Sequence, residues 1–332
     1  MNLDGGLGSF LSLVHQNYIE KGSYLLVESF DRLSRQSPWD ALMTIKMICD
    51  ADITVITLFD NQLYNTERQG IVAVVNTDII SRFDLIDRTK FIIFSSQLPN
   101  DKQPAAIGKP NEQIYSVRFM QDRAYIVTFE KVDPLYVIDL TATSSPHIAG
   151  ELEIPGYSDY LHPIGDDLLL GVGKDAIVGN SGTSWYQGVK VSLFNVANIE
   201  NPTEVGSILI GKRGSSTPLS YEPLSFAGIQ QDGQYRFAFP ISVNNGAPQG
   251  NAWRDPESQF YHWSHSGLYL FEIKDNQVSN TGAMITQTSE ETNYHSIYKA
   301  RGLIQGDDVY YLSDEDLYQA NWDQPEQISE KF

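Results

Sequence analysis

The histidines and arginines are the residues whose spacing first suggests chemistry. His262 and His265, in YHWSHSG, stand three apart, with His162 and His295 available from elsewhere in the chain. Two imidazoles at that spacing share one face of a helix and can hold a zinc ion together. The stretch reads instead as a loop entering a strand, and no cysteine or acidic partner stands beside it. The expectation is a polar, aromatic loop with neither metal nor other cofactor. Arg32 and Arg35, in DRLSR, are also three apart, at a helix start where both guanidinium groups can face one way and grip a phosphate. The plainer reading makes them solvated helix residues with Asp31 as cap. Residues 171–175 (GVGKD) and 211–214 (GKRG) look superficially like phosphate loops, but neither has the full P-loop spacing with its strand and following helix. The pairs Asp166-Asp167 and Asp307-Asp308 could bind calcium, and are equally the residues of hairpin turns.

Composition narrows the classes. With 23 Lys plus Arg against 42 Asp plus Glu, the formal charge of −19 repels polyanions, which disfavours DNA as a partner of the whole chain. The single cysteine, Cys49, rules out a disulfide framework and a cysteine-rich metal site. No apolar run is long enough to span a membrane. The N-terminus lacks a basic leader and a cleavage region, so the chain as written is expected in the cytoplasm.

The elements that must position these residues fall into two kinds. Leu7, Phe10, Leu11 and Val14 recur at helical spacing over residues 3–16. Residues 24–27 are a short apolar strand, and Ser29 or Asp31 can cap a helix bearing Leu42, Ile45, Ile48 and Cys49 on one stripe. Residues 53–58 (ITVITL) return as a β-branched strand. Strand, helix, strand describes a right-handed βαβ unit. The run GSYLLVESFDRLSR at 22–35, with ITVITLFDNQLY at 53–64, resembles the catalytic domain of serine recombinases, the resolvase and invertase family, over about residues 3–66. The resemblance implies that Arg32 and Arg35 would help hold a scissile DNA phosphate. The family's nucleophilic serine and a further arginine have no counterpart here, and Ser34, inside DRLSR, is not that nucleophile. Residues 1–70 hold 5 basic residues against 9 acidic, so no basic DNA-binding region accompanies the motif. The expectation is a catalytically silent fragment, with DNA recombination as the rival function.

Residues 67–96 form a junction in which only 71–75 and 91–94 are strand-like. From 97 to 332 the pattern is all-β. Residues 112–140 pack two strands about a turn at Gln121-Asp122-Arg123, followed by the apolar strand LYVIDL. That hairpin recurs with turns at Gly165-Asp166-Asp167, Asp232-Gly233 and Gly306-Asp307-Asp308, each of the first three followed by an apolar strand and a fourth strand (GELEI, GSILI, GAMIT). This is the sequence of β-propeller blades. The expected architecture is therefore multidomain: an N-terminal α/β fragment at 1–66, then an all-β, truncated propeller of three to four blades. The segments IYSVRFMQDRAYIVTFEKVDPLYVIDL, GYSDYLHPIGDDLLLGVGKDA and WYQGVKVSLFNV resemble the C-terminal part of a secreted bacterial β-propeller family distantly related to WD repeats. That resemblance implies an exported parent family of unestablished role.

Insertions at 176–188, 211–223 and 243–266 fall between strands and are expected on the propeller's faces. Trp185, Tyr186, Trp253 and Trp263 lie in them and are the candidates for a surface that recognises a protein or a glycan. The function expected is a non-catalytic binding module. A propeller hydrolase is the further alternative and would need carboxylates converging at the channel mouth. An open ring would also leave a sheet edge free for self-association.

Overall fold

The computed structural model describes residues 113–120, 122–129, 133–142, 145–231, 233–253, 255–290 and 296–331 of the C-terminal part. Before these it describes 10–11, 13–14, 16, 18–19, 23–27, 44–45, 47–49, 51–57, 62–64, 71–76, 79–86, 91–104 and 107–108. The chain divides into two compact units, residues 1–107 with 142–146 and residues 108–141 with 147–332.

In the first unit β1 (Tyr24–Val27) pairs in parallel with β2 (Thr54–Thr57), and β3 (Gln62–Tyr64) adds antiparallel to β2. Parallel neighbours need a crossover, and the connection contains helical residues 44–45 and 47–49. Ile45, Ile48 and Cys49 are buried there, as the apolar stripe requires. Arg32 and Arg35 lie outside the described residues. A second sheet, β4 (Ile71–Asn76), β5 (Ile79–Ile86) and β6 (Phe91–Leu98), is an antiparallel meander. The strand-like runs at 71–75 and 91–94 are thus real, and between them β5 was missed because IISRFDLI interleaves charged and apolar residues. No described helix is long and apolar enough to cross a membrane.

The second unit holds four antiparallel four-stranded sheets, each with its strands in chain order, as expected of blades. Blade I comprises β7 (Gln113–Met120), β8 (Arg123–Phe129), β9 (Asp133–Asp139) and β10 (His147–Ile154). Blade II comprises β11 (Tyr157–Ile164), β12 (Leu168–Val178), β13 (Ser184–Asn195) and β14 (Thr203–Ile210). Blade III comprises β15 (Ala227–Gln231), β16 (Gln234–Gln249), β17 (Phe260–Lys274) and β18 (Gln277–Thr288). Blade IV comprises β19 (Arg301–Gln305), β20 (Asp308–Ser313), β21 (Asp316–Asn321) and the two-residue β22 (Glu330–Lys331).

One clasp repeats from blade to blade. The amide after the third strand donates to the carbonyl of the first hairpin's aspartate: Leu140 to Asp122 at 2.8 Å, Val196 to Asp167 at 2.8 Å and Trp322 to Asp307 at 2.7 Å. The third strand itself ends in an Asx turn, where Asp139, Asn195 and Asn321 accept from the amides of Thr141, Ala197 and Asp323. Asp167 and Asp307 therefore serve as turn residues, and among the described residues no group of three or more metal-ligating side chains occurs.

Strand alternation decides which neighbour each side chain meets. On β17, Leu268 and Leu270 pack with Val309, Tyr311 and Trp322 of blade IV's side, whereas Tyr269, Phe271 and Ile273 pack with Val191 and Leu193 of blade II. On β12, Leu169 joins Tyr125 and Val137 of blade I, and Leu170 and Val172 join Phe237 and Phe239 of blade III. Full burial of each such side chain stabilises by about 1.5–3 kcal/mol. Packing between blades thus outweighs the intrinsic strand preference of any one of them.

Candidate functional site

Titratable and aromatic side chains gather where the first strands come together, β7 lying beside β11. On β11 the ladder to β12 slips between Ser158 and Tyr160, leaving Asp159 as the extra residue of a bulge. A bulge re-aims the side chain it carries. Burial pushes the Asp159 carboxyl up to about 6, against the opposing pull of the Lys174 charge. Burial likewise pushes the Lys174 amine down to about 8, opposed by Asp159. Lys174 donates to the Ser215 carbonyl, and Ser116 of β7 donates to the Ser158 carbonyl at 2.7 Å.

Beside them a hydrogen-bonded chain joins blade II to blade III. Tyr160 Oη lies 3.1 Å from His162 Nδ1, and His162 Nε2 lies 2.8 Å from Tyr235 Oη. Phe226 packs over the imidazole with 4.3 Å between ring centres. Burial, and then the Arg118 charge, hold His162 neutral, with its pKa pushed down to about 3. Burial raises both phenols, Tyr235 to about 12. A second His–Tyr pair occurs on β17: Ser264 Oγ is 3.0 Å from His265 Nδ1, and His265 Nε2 is 2.7 Å from Tyr269 Oη. Both ring nitrogens of His265 are therefore engaged, which leaves no lone pair for the metal role considered from its spacing with His262. His295 lies outside the described residues.

The insertions are largely extensions of the blade ladders rather than loops. β12 and β13 continue past the sheet to Val178 and Ser184, and β16 and β17 continue to Gln249 and Phe260. Their tips are tied together by Asp255, which is 2% exposed. Its carboxylate accepts from Trp185 Nε1 at 2.9 Å, from Ser181 Oγ at 2.5 Å and from the Ser181 amide at 3.1 Å. These bonds hold the Asp255 carboxyl below its ordinary range. Trp253 meets Trp185 edge to face at 5.9 Å. Arg213 stacks over Phe260 at 4.2 Å and Trp185 at 5.1 Å, and donates to the Tyr186 carbonyl. The structure thus brings Trp185, Tyr186 and Trp253 to one surface, while Trp263 is held on β17 by a 3.0 Å bond to Ser266. The GKRG run supplies Lys212 and Arg213 to aromatic faces, and GVGKD lies inside β12, so neither forms a phosphate loop.

A family model described as a β-propeller domain matches residues 57–324. The chain belongs to this β-propeller family. The family match begins before residue 97 and takes in β3 to β6 as well as the four blades. Among curated proteins, the chain is 35% identical over 182 residues to the uncharacterized protein MJ1554 of Methanocaldococcus jannaschii, covering 55% of this chain and 23% of that protein. It is 45% identical over 94 residues to an uncharacterized protein of Archaeoglobus fulgidus, covering 28% of this chain and 14% of that one. A 63-residue match to the uncharacterized protein YbcK of Escherichia coli is 44% identical and covers 19% of this chain and 12% of that protein. The chain thus spans less than a quarter of the length of these relatives. Among solved structures, a Synechocystis apocarotenoid oxygenase is similar at a TM-score of 0.35 and 9% identity, over 87% of this chain and 66% of that one. Likeness at that level assigns no chemistry to this propeller.

Within the propeller, the inner cluster of Arg118, Asp159, Tyr160, His162, Lys174 and Tyr235 was not legible as a site. Its one sequence signal is YSDYLHP, where polar residues interrupt an otherwise apolar strand. Arg118 and Tyr235, from other blades, carry no local signal at all.

Proposed function

We propose that the propeller is a non-catalytic binding module that takes a polypeptide partner on the extended hairpins of blades II and III. The observation that carries this reading is the exposure of Trp253, at 64%, against a Trp185 fixed by Asp255. Phe260, Ile177 and Val178 are exposed on the same hairpins, and Ile177 is the cross-strand partner of Trp185. Exposed apolar groups backed by a rigid polar clasp are the makings of an interface, and tryptophan and arginine dominate binding hot spots. The aliphatic members favour a polypeptide over a glycan, since sugars gain little from valine and isoleucine. The charge acting on Asp159 is a lysine rather than a second carboxylate, which supports a binding module over a propeller hydrolase.

Peptides selected from a displayed random library against the full chain test this reading. Trp253→Ala should weaken a selected peptide by at least tenfold with the melting temperature unchanged. Equal affinity for the variant would refute it.

We further infer that residues 1–66 are a recombinase-type α/β unit inert in strand exchange. The parallel β1–β2 pair around helical residues supports the unit, and its acidic balance supports inertness. A covalent adduct with recombination-site DNA would contradict that inference.

A further inference from the structure

The two His–Tyr networks differ in how their protons are spent. In the Ser264–His265–Tyr269 network the Ser264 hydroxyl donates to the Val243 carbonyl at 2.9 Å. His265 Nδ1–H must then donate to Ser264, and Tyr269 O–H to His265 Nε2, so every proton has an acceptor. The network is closed and structural.

The Tyr160–His162–Tyr235 chain does not close. Its three neutral groups carry three protons, one on each phenol and one on the imidazole, but make only two hydrogen bonds. Whichever tautomer His162 adopts, one phenol accepts from the ring and its own O–H is left over. A buried donor without an acceptor costs roughly 1–3 kcal/mol, which a ligand oxygen would relieve. The surroundings specify what kind of oxygen. The charge of Arg118, on β7, acts on Tyr160, His162 and Tyr235 alike. Phe226 lines the same spot, 4.3 Å from the imidazole and 5.4 Å from the Tyr160 ring. The residue at 228 is a glycine, and a Cβ there would lie 2.3 Å from Tyr235 Oη, so only glycine leaves that hydroxyl room.

We propose that Arg118, Tyr160, His162 and Tyr235 form a binding site for a monocarboxylate with a flat apolar body, seated where β7 and β11 meet blade III. The carboxylate oxygen takes the leftover phenolic proton, Arg118 balances its charge, and the apolar body lies against Phe226. One guanidinium balances one negative charge. A phosphate dianion would leave a charge uncompensated in a chain that already carries −19. This site is separate from the hairpin surface of the proposed polypeptide interface.

Calorimetric titration of the full chain with benzoate, with inorganic phosphate as the second probe, tests the proposal. Benzoate should bind, and both Tyr235→Phe and Arg118→Gln should weaken it at least tenfold, while Trp253→Ala leaves it unchanged. Tyr235→Phe keeps the ring and removes only the hydroxyl, so it decides the matter even where Arg118→Gln folds poorly. Benzoate should also drive the His162 side-chain nitrogen resonances to a single tautomer. Absence of benzoate binding, equal affinity for Tyr235→Phe, tighter binding of phosphate, or unmoved His162 resonances would each overturn it.

Discussion

Replacing Asp159 with asparagine should remove one identifiable part of the protein's pH dependence. The carboxyl sits at a β-bulge and burial raises it from 3.8 to about 6, with Lys174 pulling the other way. A raised carboxyl binds its proton more tightly in the folded chain than in the unfolded one. Its contribution is therefore fully present below about pH 4 and is lost as pH rises through about 6. The rise corresponds to about 3 kcal/mol, because each tenfold change in proton affinity is worth about 1.4 kcal/mol. Asparagine is neutral throughout. The stability difference between Asp159→Asn and the native chain should therefore move by about 3 kcal/mol in the variant's favour between pH 4 and pH 7. Lys174 stays charged over this range, its amine being depressed only to about 8, so it does not obscure the change. Urea melts of both proteins at half-unit steps measure the difference, and the comparison cancels the other carboxylates common to both chains. A difference that stays constant to within about 0.5 kcal/mol across the window would show that Asp159 is not desolvated, and the reasoning would fail.

Three further outcomes test the packing and the hairpin clasp. Phe271→Ala, which empties a place between Phe237 and Phe239 at ring distances of 5.2 and 5.1 Å, should cost about 3–5 kcal/mol in a urea melt. Gly173→Ala would set a methyl 1.9 Å from the Tyr157 carbonyl, a backbone atom that cannot swing aside, and should lower stability by about 1–3 kcal/mol. Asp255→Ala removes the acceptor of Trp185 and Ser181, so limited proteolysis near residues 179–185 should quicken while the main thermal transition stays in place. Because Asp255 is held below its ordinary pKa, the native chain should show the same quickening only as pH falls through that depressed value.

Much of the fold could be read from local pattern. The aspartate-bearing hairpin turns, the apolar third strands and the spacing of the fourth strands follow from alternation and turn chemistry, which act over a few residues. The same locality explains the repeated clasp at Asp122, Asp167 and Asp307, whose partners lie one hairpin away. The Asx turns at Asp139, Asn195 and Asn321 were equally open to reading and were passed over as undifferentiated polar turns. β5 escaped because its charges blur the period, and the expected loops at 176–188 and 243–266 are mostly strand because cross-strand pairing, not composition, extends a ladder.

What the sequence determined by itself was therefore the β-propeller repeat, the acidic character of the chain and the aromatic content of the hairpin insertions. Tertiary structure alone decided which of those aromatics share a surface. It also decided that His265 is closed into a structural network while His162 is left with a proton to give. The reason is distance along the chain: Tyr235 reaches His162 across 73 residues and Asp255 reaches Trp185 across 70. No spacing rule spans such a gap; only the packing of one blade against the next brings those atoms together.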